Sequence, residues 1–357
     1  MTAVYDSFVS RREDGARAVD LLEKLVSIPS VTGSEAALID FLEERFREDG
    51  WKIRSIPVSA GRRNLLVHRA RPQVVLTTHA DTVPGDVSPR RHGDLLYARG
   101  ACDAKASLAA MAAALDSLGR ETEEIGMLIV VGEEKGSDGA IAANLSAPEQ
   151  VRYLVGGEPT HNRFIRASKG CLRIRAEAIG TSGHSSQIEP GQSAIEPLLD
   201  FLSDLRRASF PSHPLFGATT MNIGTLEGGS APNVVASNAG AEILFRTGAR
   251  LDLLLDTIQQ CARDRVRIDV PYRSEAIFLR VPHGVDAPVV SFACDLPLLT
   301  AWGEPLLIGP GSIEDAHTSE EKVSLAEVEA AVSIYRNVTA ELLQRGDAFL
   351  EPRESGR

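Results

Sequence analysis

The chain has 357 residues, 43% hydrophobic and 24% charged, the profile of a soluble globular protein too long for one ordinary core, so two domains are expected. A net charge of −11 and an isoelectric point near 5.3 exclude nucleic acid as a partner, because neutralising phosphates needs a basic surface. No stretch approaches the ~20 apolar residues of a membrane helix, and residues 1–14 mix charges of both signs without an apolar segment, so neither a membrane span nor a secretory signal is expected.

In chain order, residues 16–26 and 35–46 carry apolar side chains at helical spacing; Ser34 is placed to cap the second helix and Gly50 to close it. Four aliphatic runs of strand length follow, at 64–67, 73–78, 126–131 and 153–155. An alanine-rich helix over 104–118 lies among them, and the alternation predicts an α/β domain. From Cys171 the texture changes. Residues 172–178 alternate strictly, as a half-exposed antiparallel strand does. A helix over 193–206, strands near 220–226 and 239–246, a helix over 252–263 and an alternating run over 265–270 complete a β-α-β-β-α-β order, that of the small ferredoxin-like unit. After about residue 277 the α/β pattern resumes and ends on a helix over 324–343. The expected organisation is a discontinuous larger domain, 1–168 and 277–357, with a smaller one over 169–276 inserted. Cys102, Cys171, Cys261 and Cys294 form no CxxC pair, so a reducing cytoplasm is expected and a thiolate zinc site is not.

Five stretches carry chemistry. Leu76-Thr77-Thr78-His79-Ala80-Asp81 puts a histidine at the carboxyl end of a buried strand, where open α/β sheets place their sites, and Asp81 can accept the second imidazole N–H. Taken alone, this is equally a strand-end histidine beside a turn aspartate. Asp103, in Gly100-Ala101-Cys102-Asp103-Ala104-Lys105, falls at a strand-to-helix junction, where capping the next helix is the commoner use of aspartate. Glu133 and Glu134 directly follow a buried apolar run, and two like charges there repel unless a cation neutralises them. Glu158, in Val155-Gly156-Gly157-Glu158-Pro159-Thr160, ends a further strand. His317 follows the loop opened by Gly309-Pro310-Gly311, whose glycines allow close approach of the backbone to a ligand. Four strand ends of one sheet thus supply His, Asp, Glu-Glu and Glu, and a late loop adds a second His. Such an oxygen and imidazole set suits zinc, cobalt or manganese, and two ions sharing a carboxylate can clamp a hydrolytic transition state.

These motifs, His79-Ala-Asp81-Thr-Val-Pro84, Gly100-Ala-Cys-Asp103-Ala-Lys105, Glu133-Glu134-Lys-Gly136-Ser137, Gly157-Glu158-Pro159-Thr160 and Ala316-His317-Thr318, resemble in order those of the M20 metallopeptidase and deacylase family. The resemblance implies a zinc-exopeptidase-like three-layer catalytic domain with an inserted ferredoxin-like lid, and two divalent ions, Zn2+ or else Co2+ or Mn2+. It implies that Asp103 bridges them, that His79 and Glu158 complete one site, and that Glu134 and His317 complete the other. Glu133 would be the general base, taking a proton from the attacking water and passing it to the leaving amine, while Asp81 buttresses His79. His184 resembles the lid histidine that helps hold the developing oxyanion. Asn233 and Arg246 resemble positions that bind a substrate carboxylate, and Gly309 and Gly311 fall in the implied substrate loop; a structural salt bridge is the competing use of Arg246. The sequence departs from the pattern at Gly132 and Ala106, and neither position removes a ligand.

The expected reaction is removal of an N-acyl group, acetyl first, from an amino acid such as N-acetylornithine or N-acetylcitrulline. The alternatives are release of lysine or ornithine from an acidic amino-group carrier protein, dipeptidase or carboxypeptidase action, and a non-catalytic amino-acid-binding relative. Carrier docking needs a basic face, and the chain has no basic run. The family's habit of pairing through the inserted domain implies a homodimer.

Overall fold

Amphipathic and aliphatic runs become helices and strands over residues 12–187, 189 and 192–352, which this computed structural model describes. Residues 1–11, most of the stretch expected to lack a secretory signal, and 353–357 lie outside the described residues. Helices α1 (Arg12–Ser27) and α2 (Ala36–Glu48) lead into strands β1 (Lys52–Ser59), β2 (Arg62–His68) and β3 (Val74–His79). Short strands β4 (Arg90–His92) and β5 (Leu95–Tyr97) precede α3 (Lys105–Leu118), β6 (Ile125–Val130), α4 (Asp138–Asn144) and β7 (Tyr153–Gly156). Next come β8 (Ala167–Ser168), β9 (Gly170–Ile179), α5 (Ile195–Arg207), β10 (Ser212–His213) and β11 (Gly217–Ala218). Then follow β12 (Thr220–Gly228), β13 (Asn238–Thr247), α6 (Leu251–Ala262), β14 (Arg267–Ser274), β15 (Ile277–Phe278) and β16 (Val289–Val290). The chain ends with β17 (Glu304–Leu307), β18 (Lys322–Ser324) and α7 (Leu325–Arg345).

The chain divides into two units. The first holds the described residues up to Arg166, Phe278–Pro288 and those from Cys294 onward; the second holds Ala167–Ile277 and Val289–Ala293. A six-stranded sheet in the order β1-β2-β6-β3-β7-β17 organises the first unit. Its β3, β6, β7 and β17 run parallel, while β1 and β2 are antiparallel. Strands β3, β6 and β7 are buried along their whole length, which is why their sequences are largely apolar and do not alternate. Helices α1, α3 and α7 pack on one another, and α3 and α7 touch β3. Ala109, Ala110, Ala112 and Ala114 are fully buried in α3, so small side chains are what let it lie so close to its neighbours. The mixed α/β class expected from the strand and helix alternation is the class observed.

Three local expectations change. Helix α2 is preceded by Glu35, not capped by Ser34, whose N–H is spent on the carbonyl of Val31. Glu35 instead meets Arg62 at 2.7 Å. Helix α3 starts at Lys105 with Ala104 before it and no side-chain cap, so Asp103 is not a helix cap. Asp103 also does not follow a strand of the main sheet: it comes after β5, which pairs with β4 and β18 in a separate three-stranded sheet. At α7 the start is as read, with Ser324 accepting the N–H of Glu327 at 3.2 Å.

In the second unit, β12-β13-β9-β14 form an antiparallel sheet, and the chain order is β-α-β-β-α-β with the β10–β11 hairpin between α5 and β12. Strand β9 alternates buried and exposed side chains, and Phe201 and Leu205 of α5 with Leu254 and Ile258 of α6 cover its buried face. Strand β12 is at the sheet edge and mostly exposed. No described helix is long and apolar enough to cross a membrane.

Candidate metal centre

The carboxyl ends of three neighbouring parallel strands present the first donors. His79 is the last residue of β3 and 1% exposed. Beyond β6 the chain turns at Gly132, at a φ of +84°, where a Cβ would fall 2.0 Å from Oδ1 of Asp138. That left-handed turn requires glycine, and it swings Glu133 and Glu134 into a single turn of 3-10 helix. Beyond β7, Gly156 and Gly157 lead to Glu158, which is 8% exposed. Asp103 enters from the loop after β5, joined to Ala104 by a cis peptide bond. His317 comes from the loop between β17 and β18 with a φ of +63°, a left-handed conformation uncommon for a side chain of this size.

The five residues fall into two groups, His79 with Asp103 and Glu158, and Asp103 with Glu134 and His317. Within each group one donor atom per residue lies within 4.8 Å of the others, and Asp103 belongs to both. Nε2 of His79 is 3.0 Å from Oδ1 of Asp103, while Nε2 of His317 is 3.4 Å from Oδ2 of Asp103 and 3.0 Å from Glu134. The two oxygens of one carboxylate therefore face two different imidazoles. Carboxylates and imidazoles without thiolate are the donors that borderline divalent ions such as zinc prefer, so the residues fit such ions. The thiol of Cys102, the residue before Asp103, is engaged elsewhere, donating to the carbonyl of Ser312 at 3.0 Å.

Electrostatics mark the same cluster. Burial raises the pKa of Glu158 well above the usual carboxylate range, with His79 opposing and Asp103, Asp295 and Glu134 adding to it. Glu133 is shifted the same way, by burial first and then by Glu158 and Asp295 against the pull of His79. Burial would lower His79, but Asp103, Asp81 and Glu158 raise it well above its ordinary value. The hydrogen-bonded Asp103 and Glu134 push His317 up to about 10. Several buried carboxylates and few cations is the condition a metal ion relieves.

Asp81 is fully buried. The carbonyl of Asp81 lies 3.0 Å from Nδ1 of His79, and its Oδ1 lies 3.5 Å away. Its carboxylate accepts the N–H groups of Gly132, Glu133 and Glu134 at 2.9, 3.1 and 3.2 Å, and the hydroxyl of Thr32 at 2.7 Å.

The remaining sequence candidates are placed as follows. Gly309 and Gly311 are buried; the N–H of Gly309 donates to Thr160 at 2.9 Å and that of Gly311 to Glu327 at 2.7 Å. His184, Asn233 and Arg246 are in the second unit. Nδ1 of His184 is 2.8 Å from the hydroxyl of Ser186, and the carbonyl of Asn233 accepts the N–H of Ser185 at 3.2 Å. Arg246 is half-buried on β13 opposite Thr220 and Cys171, and among the described residues no carboxylate pairs with it.

Sequence reasoning missed Asp295 and Glu321. Asp295 is 6% exposed, and burial pushes its pKa up to about 7 against the lowering effect of the Ser137 side chain. It lies with Thr77, His79 and Glu158 around a cavity of about 10 Å³. Glu321 is 1% exposed and accepts the N–H groups of Cys102 and Asp103 at 3.1 and 3.2 Å. Nothing local distinguishes Glu321 in Thr318-Ser319-Glu320-Glu321, where acidic residues read as solvated.

Comparison with known proteins fits this geometry. Residues 75–341 match the family described as Peptidase family M20/M25/M40. A Schizosaccharomyces pombe peptidase M20 domain-containing protein is 33% identical over 340 residues, covering 91% of this chain and 84% of that protein. An Emericella nidulans protein named "Probable carboxypeptidase" is 30% identical over 386 residues, covering 93% of this chain and 91% of that protein. Among solved structures, a Staphylococcus aureus tripeptidase superposes with a TM-score of 0.75 at 22% identity, covering 92% of this chain and 99% of that one, a likeness of fold. The chain is a hydrolase that belongs to the M20/M25/M40 peptidase family.

Proposed function

We propose that this protein hydrolyses a linear amide joining an acyl group to an amino acid whose α-carboxylate is free, with two divalent metal ions, zinc first, held by His79, Asp103, Glu134, Glu158 and His317. The observation that carries this reading is the membership of Asp103 in both donor groups. Ions bound there would polarise the scissile carbonyl and make water a nucleophile at neutral pH. Glu133 adjoins a ligand without belonging to either group, and its raised pKa suits a base that takes a proton from the attacking water and returns it to the leaving nitrogen. Asp81 holds the turn that carries Glu133 and Glu134. By the family pattern His184 would help hold the oxyanion, with Arg246 and Asn233 binding the carboxylate, and the second unit would serve as lid and dimer contact.

Two substrate classes share that bond. N-acetyl amino acids such as N-acetylornithine or N-acetylcitrulline are favoured by the motifs around Glu158 and Gly309. Carboxypeptidase or dipeptidase action is the other, and the name "Probable carboxypeptidase" carried by relatives 30–33% identical to this chain favours the first of the two. A panel of N-acetyl and N-succinyl amino acids, dipeptides and N-blocked peptides, assayed with zinc and with cobalt, separates them. Turnover of the panel above a Glu133→Gln control supports the reading. No turnover with either metal sinks it.

A further inference from the structure

Arg99 and Glu321, 222 residues apart in sequence, meet at 2.6 Å through Nη1 and Oε2, with side chains 14% and 1% exposed. The other oxygen of Glu321 is committed to the backbone that carries Asp103, accepting from Cys102 and Asp103 at 3.1 and 3.2 Å. The other nitrogens of Arg99 reach two further segments. Nε donates to the carbonyl of Gly85, in the turn after β3, at 3.0 Å, and Nη2 to that of Thr318, the residue after His317, at 3.2 Å. Gly100 lies between the pair and the ligand, at a φ of +79° with a Cβ position only 2.7 Å from Thr82, so the loop is pressed against its support. One partly buried ion pair thus joins the segment bearing Asp103 to the segment bearing His317.

From this geometry we infer that Arg99 and Glu321 are a positioning pair that sets Asp103 and His317 at the spacing an ion needs, and so governs retention of the metal in the group Asp103, Glu134 and His317. The inference rests on the two-metal reading above. Asp103 is common to both groups, but His79 and Glu158 stand at the end of β3 and just past β7, outside this clamp, whereas His317 is held by it as well, so the group containing His317 loses two braced ligands where the other loses one. Guanidinium is suited to the task because its fork reaches three acceptors at fixed angles, which an ammonium cannot.

The test titrates Co2+ alone into demetallated wild type, Arg99→Lys and Glu321→Gln, following visible absorption with the first and second equivalents and metal per chain after dialysis. Thermal melts of the same samples check the fold. Expected are two ions in the wild type; in both variants, one retained ion, a second bound tenfold or more weakly with an altered spectrum, and a cooperative melt. Arg99→Lys keeps the charge against Glu321, which guards against misfolding. Two ions held with wild-type affinity in both variants overturn the inference alone. Fewer than two ions in the wild type overturn the two-metal reading, and the inference with it. Loss of both ions together with the cooperative melt in Arg99→Lys overturns the inference too, because the pair would then support the whole fold.

Discussion

Asp81 accepts the backbone N–H of Glu134 at 3.2 Å, so the carboxylate next to one metal-group histidine also fixes the turn that supplies the other group's glutamate. With the N–H groups of Gly132 and Glu133 it holds three donors at once. Asp81→Ala leaves these donors without a partner in a buried setting, where each unmet donor costs about 1–3 kcal/mol. The expected result is a loss of about 3 kcal/mol in urea unfolding, together with weaker metal retention. A variant with wild-type stability and metal content would contradict the anchoring role.

Glu133 is predicted to move protons without holding metal. Glu133→Gln keeps the shape and removes the base, so kcat should fall by about 10²–10⁴ with KM nearly unchanged. Metal content per chain should stay at the wild-type value. A drop in metal content would make Glu133 a ligand instead.

Gly309 tests how tightly the late loop is packed beneath Glu158. A Cβ there would come within 2.5 Å of the carbonyl of Glu158 and 2.6 Å of the hydroxyl of Ser107. Gly309→Ala should cost about 1–3 kcal/mol by overpacking and weaken the ion held by His79 and Glu158. Unfolding midpoints and metal affinity measure the two effects separately.

Metal removal should destabilise the protein, because Asp103, Glu134 and Glu158 would be left crowded with Glu133. An ion at 1,000 times its dissociation constant adds about 4 kcal/mol of stability. Chelated protein should therefore melt at a lower temperature and recover on adding zinc. Identical melts before and after chelation would mean that no ion is bound.

The parallel strands were legible because burial on both faces leaves β3, β6 and β7 largely apolar without alternation, and their ends fix where His79, Glu133, Glu134 and Glu158 stand. Asp103 was legible as a residue and not as a place. Its neighbours read as a helix start, whereas the backbone puts Ala104 before the helix and leaves the carboxylate free to face both His79 and His317. Glu321 and Asp295 stayed hidden for a different reason. Their burial comes from segments far away in sequence, Arg99 and Cys102 for one and the ends of β3 and β7 for the other, and no spacing rule encodes that. Gly132 is the converse case, a departure from the family pattern that the left-handed turn explains.

The substrate carboxylate gives the last prediction. Arg246 had two competing uses from sequence, a salt bridge or a ligand contact, and among the described residues it has no carboxylate partner. A paired guanidinium and carboxylate is worth about 1.5–3 kcal/mol, so losing the fork should raise KM by about 10–100-fold. Arg246→Lys is the sharper variant, since it keeps the charge and removes the bidentate geometry. The informative measurement compares a substrate with its carboxamide analogue. Wild type should prefer the free carboxylate, and Arg246→Lys should lose most of that preference while kcat on the carboxamide stays the same. If the preference survives the substitution, the carboxylate is held elsewhere and Arg246 serves the strand it stands on.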